Sequence, residues 1–222
     1  MPQTLLFETE VTRTFRLPYL LYLPAGDHTS GSDRWPFILF LHGAGERGDD
    51  LEAVRAVGLP PRIEAWSESP FIVAAPQCPA HSDWLMELDA VEALLDHLVS
   101  EYPVDPKRIY LTGMSMGGRG AWQLAARNLG RFAAIAPVCG RRPVGLSGIE
   151  DVPGLKDLPA WVFHGSLDEV IPPGESEFMV ELLRSHGEDV RHTVFPNTEH
   201  DSWNEAYDTE ELFSWFLEHT SG

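Results

Sequence analysis

Short apolar runs rich in β-branched and aromatic residues recur along this chain of 222 residues, separated by segments of helical periodicity. The runs are FILFLH (37–42), FIVAAP (71–76), RIYLTG (108–113), FAAIAPV (132–138), AWVFHG (160–165) and RHTVFP (191–196). The clearest helical segment, residues 85–102, gathers apolar side chains on one face, namely Leu88, Val91, Leu94, Leu95 and Leu98. Parallel neighbours in a sheet need a crossover, which is usually a helix. The alternation therefore predicts an α/β fold, with a mostly parallel twisted sheet covered by helices on both faces.

Two further segments extend this pattern. Residues 9–24 alternate with a period of two, which predicts one or two leading antiparallel strands and a sheet of about eight strands in all. Residues 140–159 are rich in Gly, Pro and charged residues, a composition that predicts a small surface loop segment. We find no repeat, linker or low-complexity tract, so we expect a single catalytic domain over residues 1–222.

The net charge of the chain argues against nucleic acid and anionic membranes as partners. Its 34 acidic residues against 16 basic ones give a net charge of −18. Nucleic acid and anionic membranes would repel such a surface, so we expect neither as a partner. Residues 1–15 lack the basic start and apolar core of a signal peptide, and no apolar run approaches the roughly 20 residues of a membrane span. Two alternatives for its location stay open: the chain is a cytoplasmic protein, or it is a domain cut from a longer exported protein.

The stretch GMSMGGRGAW (113–122) places four glycines where a helix is about to begin. Each glycine inside a helix costs about 0.5–1 kcal/mol relative to alanine. One explanation is a flexible turn. The other is a nucleophile elbow, in which Ser115 lies on a strained strand-to-helix turn whose neighbours must lack side chains. A G-x-S-x-G match is weak evidence alone, so the rest of the chain decides between the two.

A serine nucleophile needs a base, and the base needs an orienting carboxylate. In a parallel sheet these groups come from loops at the carboxyl ends of strands. Asp168 follows the run AWVFHG, and His200 follows the run RHTVFP. The order Ser115, Asp168, His200 is the order of α/β-hydrolases and differs from that of chymotrypsin and subtilisin. These three residues are our candidate catalytic triad.

Each member of the triad also has a simpler explanation. Asp168 could cap a helix starting near residue 172, and His200 is one of nine histidines. Three neighbouring acids compete for the carboxylate role, namely Glu169, Glu199 and Asp201. We favour Asp168, because an acid one residue from the base has difficulty turning back onto its ring.

Acyl transfer also needs backbone N–H donors for the developing oxyanion. The elbow supplies the N–H of Met116, and the glycine-rich loop LHGAGERG (41–48) supplies our second candidate, the N–H of Ala44. We expect His42 in this loop to be a buried ring that hydrogen-bonds to the loop. Glu46 and Arg47 either form a local ion pair or contact the substrate.

Two tryptophans are candidates for substrate binding. Trp84 lies on the loop after FIVAAP, and Trp203 closely follows His200. Either could form an aromatic wall for an acyl or sugar group, and either could anchor its loop on the core. The sequence contains no metal-binding or nucleotide-binding motif, so we expect no cofactor and no metal.

Six motifs together carry a resemblance to a known family. They are HGAGERG (42–48), APQCP (75–79), GMSMGGRGAW (113–122), PVCG (137–140), HGSLDEVIPP (164–173) and HDSW (200–203). The chain resembles, from about residue 18 to 217, the α/β-hydrolase branch of small serine carboxylesterases and predicted peptidases, a neighbour of feruloyl esterases, acetylxylan esterases and polyhydroxybutyrate depolymerases. The resemblance implies an α/β-hydrolase fold, the triad Ser115, Asp168 and His200, and main-chain Ala44 and Met116 as oxyanion hole. No insertion has the size of a lipase lid.

We therefore expect a serine carboxylesterase for short-chain or aromatic acyl esters, whose substrate is a small molecule or an ester carried on plant polysaccharide of the feruloyl or acetyl-xylan type. A peptidase of the same fold and a catalytically dead binding module are the alternatives. In the strand order of this fold, two strands separate the one before Cys78 from the one before Cys139. Three spacings of about 4.8 Å exceed the reach of a disulfide, so we expect two free, mostly buried thiols.

Overall fold

Seven strands and seven helices are present in the part of the chain that the computed structural model describes, which is residues 3–10, 12–25, 34–143, 145, 155, 157–185 and 190–222. The strands are β1 (Tyr19–Tyr22), β2 (Trp35–Leu41), β3 (Ile72–Pro76), β4 (Val104–Met114), β5 (Ala134–Val138), β6 (Ala160–Gly165) and β7 (Val190–Phe195). The helices are α1 (Leu51–Arg55), α2 (Leu59–Ala65), α3 (Leu88–Glu101), α4 (Met116–Arg127), α5 (Gly174–Arg184), α6 (Trp203–Asp208) and α7 (Glu210–Leu217).

The strands form one sheet in the order β1-β3-β2-β4-β5-β6-β7. Strand β1 pairs antiparallel with β3, and every other pair is parallel. The mostly parallel sheet predicted from the sequence is thus confirmed. Of the one or two leading antiparallel strands expected, the described residues contain one, so the sheet has seven strands rather than about eight.

Both faces of the sheet are covered, because alternate side chains of the central strands are apolar in both directions. In β2, Phe37, Leu39 and Leu41 pack into one core cluster, while Ile38 and Phe40 pack into the other. The first cluster contains buried side chains of α3, α4 and α5. The second contains those of α1, α2, α6 and α7. Helices therefore lie on both faces, as the sequence predicts.

The register of the parallel strands brings their carboxyl ends to one edge. Leu41 of β2 lies opposite Gly113 of β4, and Gly113 lies opposite Pro137 of β5. The loops that follow these strands therefore meet at the same edge of the sheet, where ligands bind in open α/β folds.

Two sequence predictions concern residues 140–159 and membrane-spanning segments. The predicted surface loop segment over residues 140–159 falls largely outside the described residues, which lack 144, 146–154 and 156 in this interval. Among the described helices, none combines the length and the apolar character that a transmembrane helix requires.

The strand order also separates the two cysteines. Cys78 follows β3 and Cys139 follows β5, with β2 and β4 lying between those strands as predicted. Both cysteines are buried and free in the structure. The state of the two thiols in solution stays a prediction, which thiol titration of the denatured chain tests.

Candidate active site

The chain passes from β4 to α4 through a single residue, Ser115, whose backbone angles are φ 54° and ψ −112°. Few residues other than glycine adopt a positive φ, and such strain is often found at functional sites. The Ser115 N–H donates to the carbonyl of Val138 at 2.9 Å, which fixes the turn to β5. A Cβ atom on Gly113 would overlap the backbone of Gly117, and one on Gly117 would overlap the Leu41 carbonyl. The glycines therefore permit close packing of strand, turn and helix, as a nucleophile elbow requires.

The three candidate triad residues meet at this edge of the sheet. The Nε2 atom of His200 lies 2.9 Å from Ser115 Oγ, and its Nδ1 lies 2.7 Å from Asp168 Oδ2. The Asp168 side chain is fully buried, whereas 20% of the His200 side chain is exposed. Because a carboxylate only accepts, Nδ1 carries the proton and Nε2 is free to accept the serine hydroxyl. This tautomer is the one that a serine nucleophile requires.

Asp168 uses its two oxygens for different purposes. Oδ2 contacts His200, while Oδ1 accepts the backbone N–H groups of Val170 at 2.9 Å and Ile171 at 2.8 Å. Oδ1 therefore holds the turn over residues 168–171, and Oδ2 is left for His200. The helix-capping alternative is not observed, because α5 begins at Gly174 with Pro173 as its N-cap and no side-chain cap hydrogen bond. The competing acids Glu169, Glu199 and Asp201 are all exposed, and it is Asp168 that bonds to His200.

The loop after β2 is held by a buried histidine. His42 donates from Nδ1 to the Gly43 carbonyl at 2.6 Å and accepts the Cys78 N–H at Nε2, at 2.9 Å. Burial lowers the pKa of His42 to about 4, so the ring is neutral near neutral pH. His42 is thus the loop-supporting ring that the sequence predicts.

Arg47 and Glu46 behave differently from a local ion pair. Arg47 donates from Nε to the Ala44 carbonyl at 2.9 Å and from Nη1 to the Ser82 carbonyl at 3.2 Å, so it holds the loop. Glu46 Oε2 is buried, 3.8 Å from His42 Nδ1, and makes no hydrogen bond within the described part of the chain. Burial raises the pKa of the Glu46 carboxyl. The structure shows no contact that assigns Glu46 to substrate binding.

The two candidate oxyanion donors are the backbone N–H groups of Met116 and Ala44. Met116 is the first residue of α4, so its N–H has no acceptor within the helix. Ala44 is exposed in the loop, and a Cβ built on the adjacent Gly43 would lie 3.7 Å from the Ser115 Cβ. Both residues therefore belong to backbone that adjoins Ser115, while their role as donors remains a proposal.

The two tryptophans have different positions. Trp84 is 1% exposed, its indole N–H donates to the His42 carbonyl at 2.8 Å, and its ring packs edge-on against His42. It therefore anchors a loop on the core and cannot form a substrate wall, which corrects that expectation. Trp203 is half-buried, with its ring 5.5 Å from the His200 ring in an edge-on contact. Of the two, Trp203 is the one that lies beside the triad.

A cavity of about 490 Å³ adjoins Asp168 and His200, and Ser115 is not among the residues that line it. It is lined by Ser166, Leu167, Asp168, Glu169, Val170, Glu199 and His200, which we call the triad cleft. Leu167 and Val170 are 52% and 62% exposed, so they offer apolar surface, and the Glu169 and Glu199 carboxylates add negative charge. Leu167 and Val170 could not be predicted from the sequence, because no periodicity shows which way a loop side chain points.

One cysteine lies directly behind the triad. Ligand atoms of Cys139, Asp168 and His200 all lie within 4.8 Å of one another, the one such cluster among the described residues. Cys139 is fully buried and has φ 40°. Burial raises the pKa of its thiol to about 12, and metals bind the thiolate, so this set is poorly suited to hold an ion. The sequence predicts that Cys139 follows a strand but contains no signal that connects it to Asp168 and His200.

Comparisons with known proteins agree with this geometry. The model of the dienelactone hydrolase family matches residues 82–211, a range that contains Ser115, Asp168 and His200. A crystal structure of a thermostable esterase superposes with a TM-score of 0.78 at 33% identity, covering 92% of this chain and 59% of that one.

Two curated relatives are longer than this chain. NocK of Nocardia uniformis subsp. tsuyamanensis is 30% identical over 176 residues, which are 72% of this chain and 46% of NocK. The bifunctional acetylxylan esterase/xylanase XynS20E of Neocallimastix patriciarum is 32% identical over 81 residues, which are 36% of this chain and 11% of that protein. The chain thus spans less than half the length of these relatives. With more than half of its residues matched by one family model and its fold shared with an esterase, the chain belongs to the dienelactone hydrolase family of α/β-hydrolases.

Proposed function

We propose that this chain is a serine carboxylesterase that works through an acyl-enzyme, with Ser115 as nucleophile, His200 as base and Asp168 as its orienting carboxylate. The observation that carries the proposal is the continuous hydrogen-bonded set at the elbow, 2.9 Å from Ser115 Oγ to His200 Nε2 and 2.7 Å from His200 Nδ1 to Asp168 Oδ2. Membership of a hydrolase family and a fold shared with an esterase support it.

The first half of the reaction follows from the tautomer of His200. Its Nε2 takes the hydroxyl proton as Ser115 Oγ attacks the ester carbonyl carbon, and the imidazolium that forms is stabilised by the buried carboxylate of Asp168. His200 then gives this proton to the departing alcohol. Water, deprotonated by the same nitrogen, hydrolyses the acyl-enzyme and regenerates Ser115. Every step is a proton transfer or an acyl transfer, so this route needs no cofactor.

The oxyanion forms where the Ala44 loop and the start of α4 adjoin Ser115. The N–H groups of Met116 and Ala44 would receive it, and such donors are effective when they are fixed before the reaction begins. Arg47 contributes here, because its bond to the Ala44 carbonyl restrains the loop that carries this donor.

The triad cleft supports small or flat acyl groups. Leu167 and Val170 in the cleft offer exposed apolar contact surface for a short-chain or aromatic acyl group, and the half-buried ring of Trp203, which lies beside His200 outside the cleft, adds to it. We include esters on plant polysaccharide, of the feruloyl or acetyl-xylan type, among the substrates, because one relative is named as an acetylxylan esterase/xylanase. The proposed substrate is then a small-molecule or polysaccharide-linked ester.

The proposal is tested by turnover and by covalent labelling. We expect the chain to hydrolyse p-nitrophenyl acetate and to leave the matched p-nitroanilide almost untouched, which separates an esterase from a peptidase. Ser115→Ala should lower kcat by about 10³-fold or more, because the nucleophile and base act as a unit. A serine-directed phosphonate should label the wild type once and Ser115→Ala not at all.

Ser100→Ala is the matched control, since Ser100 is an exposed serine at the end of α3. It should be labelled and should turn over ester like the wild type. Labelling that persists in Ser115→Ala would show that another residue is the nucleophile. A wild type that binds esters without turning them over would indicate a binding module.

A further inference from the structure

The carboxylate of Asp168 faces a second buried imidazole that the proposed reaction does not use. His164 Nε2 lies 3.2 Å from Asp168 Oδ2, the same oxygen that accepts from His200. His164 is the penultimate residue of β6, and its side chain is completely inaccessible to solvent. A buried polar ring requires partners for both nitrogens, so the partners of His164 determine where its proton lies.

Those partners define the orientation of the ring. Nε2 hydrogen-bonds to the Ile171 carbonyl at 2.9 Å, and Nδ1 lies 2.6 Å from Ser176 Oγ in α5. Both groups beside Nε2, a carbonyl and a carboxylate, are acceptors. Nε2 therefore carries a proton, and in the neutral ring Nδ1 accepts the hydroxyl proton of Ser176.

The bond to Ile171 ties His164 to the turn that holds Asp168. The N–H groups of Val170 and Ile171 donate to Asp168 Oδ1, while the carbonyl of Ile171 accepts from His164. The turn is thus held from two sides, by the carboxylate that it orients and by the imidazole beneath it. A continuous set of contacts runs from Ser176 through His164 and Asp168 to His200.

We propose, resting on the proposed function, that His164 is a positioning residue for the reaction: its Nε2–H secures the turn over residues 168–171 and orients Asp168 Oδ2 toward His200. His164 does not contact the substrate or the reacting atoms in this role. Its effect reaches the chemistry through Asp168, whose carboxylate has no exposed surface and so cannot be oriented by solvent.

The Nε2–H also affects the charge that His200 experiences. The Nε2–H hydrogen-bonds to the Ile171 carbonyl, and its partial positive charge, with Nε2 3.2 Å from Oδ2, offsets part of the negative charge on that oxygen. Without this donor, Oδ2 stabilises protonated His200 more strongly, and the acid limb of the pH profile moves to higher pH. The turn also loses a restraint, so kcat falls.

Other titratable groups surround these residues and must be held constant in the test. They are Cys139 after β5, His192 in β7, Glu169 and Glu199 in the triad cleft, and Asp201 after His200. Burial raises the pKa of the Cys139 thiol to about 12 and lowers the pKa of His192. None of these residues is changed in the variants below, so a difference between variants reports on position 164.

Two substitutions separate the N–H donor from the bulk of the ring. His164→Leu keeps an apolar side chain of similar size without a donor, whereas His164→Gln places an amide N–H near the position of Nε2. The full chain of each variant is titrated with the phosphonate, and kcat and kcat/KM for p-nitrophenyl acetate are measured per labelled site across the pH range. This normalisation removes any loss of folded protein.

We expect His164→Leu to lower kcat about 10-fold with KM changed by less than about twofold, and to move the acid limb up by about half a pH unit. His164→Gln should stay within about threefold of the wild-type kcat and keep the wild-type acid limb. Should His164→Leu fail to fold, Ser176→Ala gives the same test, because the Ser176 hydroxyl bonds to His164 Nδ1. Its effects should have the same direction and a smaller size.

The role of His164 is overturned if His164→Leu, or Ser176→Ala in its place, retains the wild-type kcat and acid limb per labelled site. It is also overturned if His164→Gln shifts the acid limb as far as His164→Leu, since the donor would then be irrelevant. Failure of the proposed function looks different: the wild type itself would not be labelled by the phosphonate.

Discussion

Three histidines lie at or just beyond the carboxyl ends of strands, and their partners decide what each one does. His42 and His164 are fully buried, and each has backbone or side-chain partners at both ring nitrogens. His200 alone of these three is partly exposed and has a serine hydroxyl at Nε2. The residue type is the same in all three cases, so it is their surroundings that make His200 the candidate base.

The buried ring of His42 predicts a pH dependence of folding. Its pKa is about 4 in the folded chain against an ordinary value of 6.5, so the unfolded chain binds a proton first as the pH falls. The stability that His42 contributes is therefore complete above about pH 6.5 and is lost between there and pH 4. We expect the free energy of unfolding of the wild type, measured in urea, to fall by about 2 kcal/mol more between pH 7 and pH 5 than that of His42→Gln.

His42→Gln suits this comparison because glutamine can also donate and accept, and it carries no charge at either pH. Burial lowers the pKa of His192, which lies away from His42 in β7, is present in both proteins and cancels in the difference. Burial raises the pKa of Glu46, whose Oε2 lies 3.8 Å from His42 Nδ1, so the comparison is repeated in a Glu46→Gln background. Equal pH dependence in the two proteins would contradict the assignment of His42 as a neutral buried ring.

At the scale of elements, the junction of β4 with α4 is the tightest part of the site. The helix begins at Met116 directly after Ser115, and its first turn packs on the backbone of β2 and of the residues after β5. This packing brings the helix N-terminus and the loop after β2 against the same serine. The glycines of the elbow are thus required by close backbone packing rather than by flexibility.

A pair of glycine substitutions tests this packing. Gly117→Ala would drive a methyl group into the Leu41 carbonyl, which cannot move without displacing β2. We expect it to lower the free energy of unfolding by more than about 3 kcal/mol, or to prevent folding. Gly174→Ala is the matched control at the first residue of α5, where a Cβ meets open space. It should leave stability unchanged or raise it by about 0.5 kcal/mol, as thermal or urea unfolding will show. A tolerated Gly117→Ala would contradict the packing.

At the scale of the whole molecule, the net charge and the carboxylates of the triad cleft both disfavour the binding of anionic esters. The chain carries a net charge of −18, and the triad cleft adds the carboxylates of Glu169 and Glu199 beside His200. A field of one sign concentrates ligands of the opposite charge and repels those of like charge, and salt weakens both effects. Neutral and cationic esters should therefore reach the triad more readily than anionic ones.

Two esters of matched shape measure this selection. We expect kcat/KM for acetylcholine to exceed that for its neutral isostere, 3,3-dimethylbutyl acetate, by a factor of about three to ten at low salt. The ratio should approach one in about 1 M salt, where the screening length is near 3 Å.

The double variant Glu169→Gln with Glu199→Gln should reduce the ratio of the two kcat/KM values. Glu210→Gln with Glu211→Gln, which removes the same charge from α7, should change it less. Equal ratios in both double variants would assign the effect to net charge alone.

The sequence by itself determined the layout of the fold and predicted the three residues that the structure brings into one hydrogen-bonded set. Runs of buried strands alternate with amphipathic helices, and β6 spans Ala160–Gly165 as the run AWVFHG predicts. Burial periodicity is a local property, so a single chain displays it without reference to any partner. Because parallel strands end at one edge, residues that follow different strands, Ser115, Asp168 and His200, could be expected to meet there.

Only the tertiary structure decided which side chains face the cleft and which face the core. Trp84 and Trp203 were equal candidates, yet Trp84 is buried on His42 and Trp203 lies beside His200. The contact of His164 with Asp168 was likewise not visible in the motif HGSLDEVIPP. The direction of a loop side chain depends on the backbone that packs against it, and that backbone is distant in sequence. No local pattern can encode such a contact, so it is fixed only when the strands have paired and the helices have covered them.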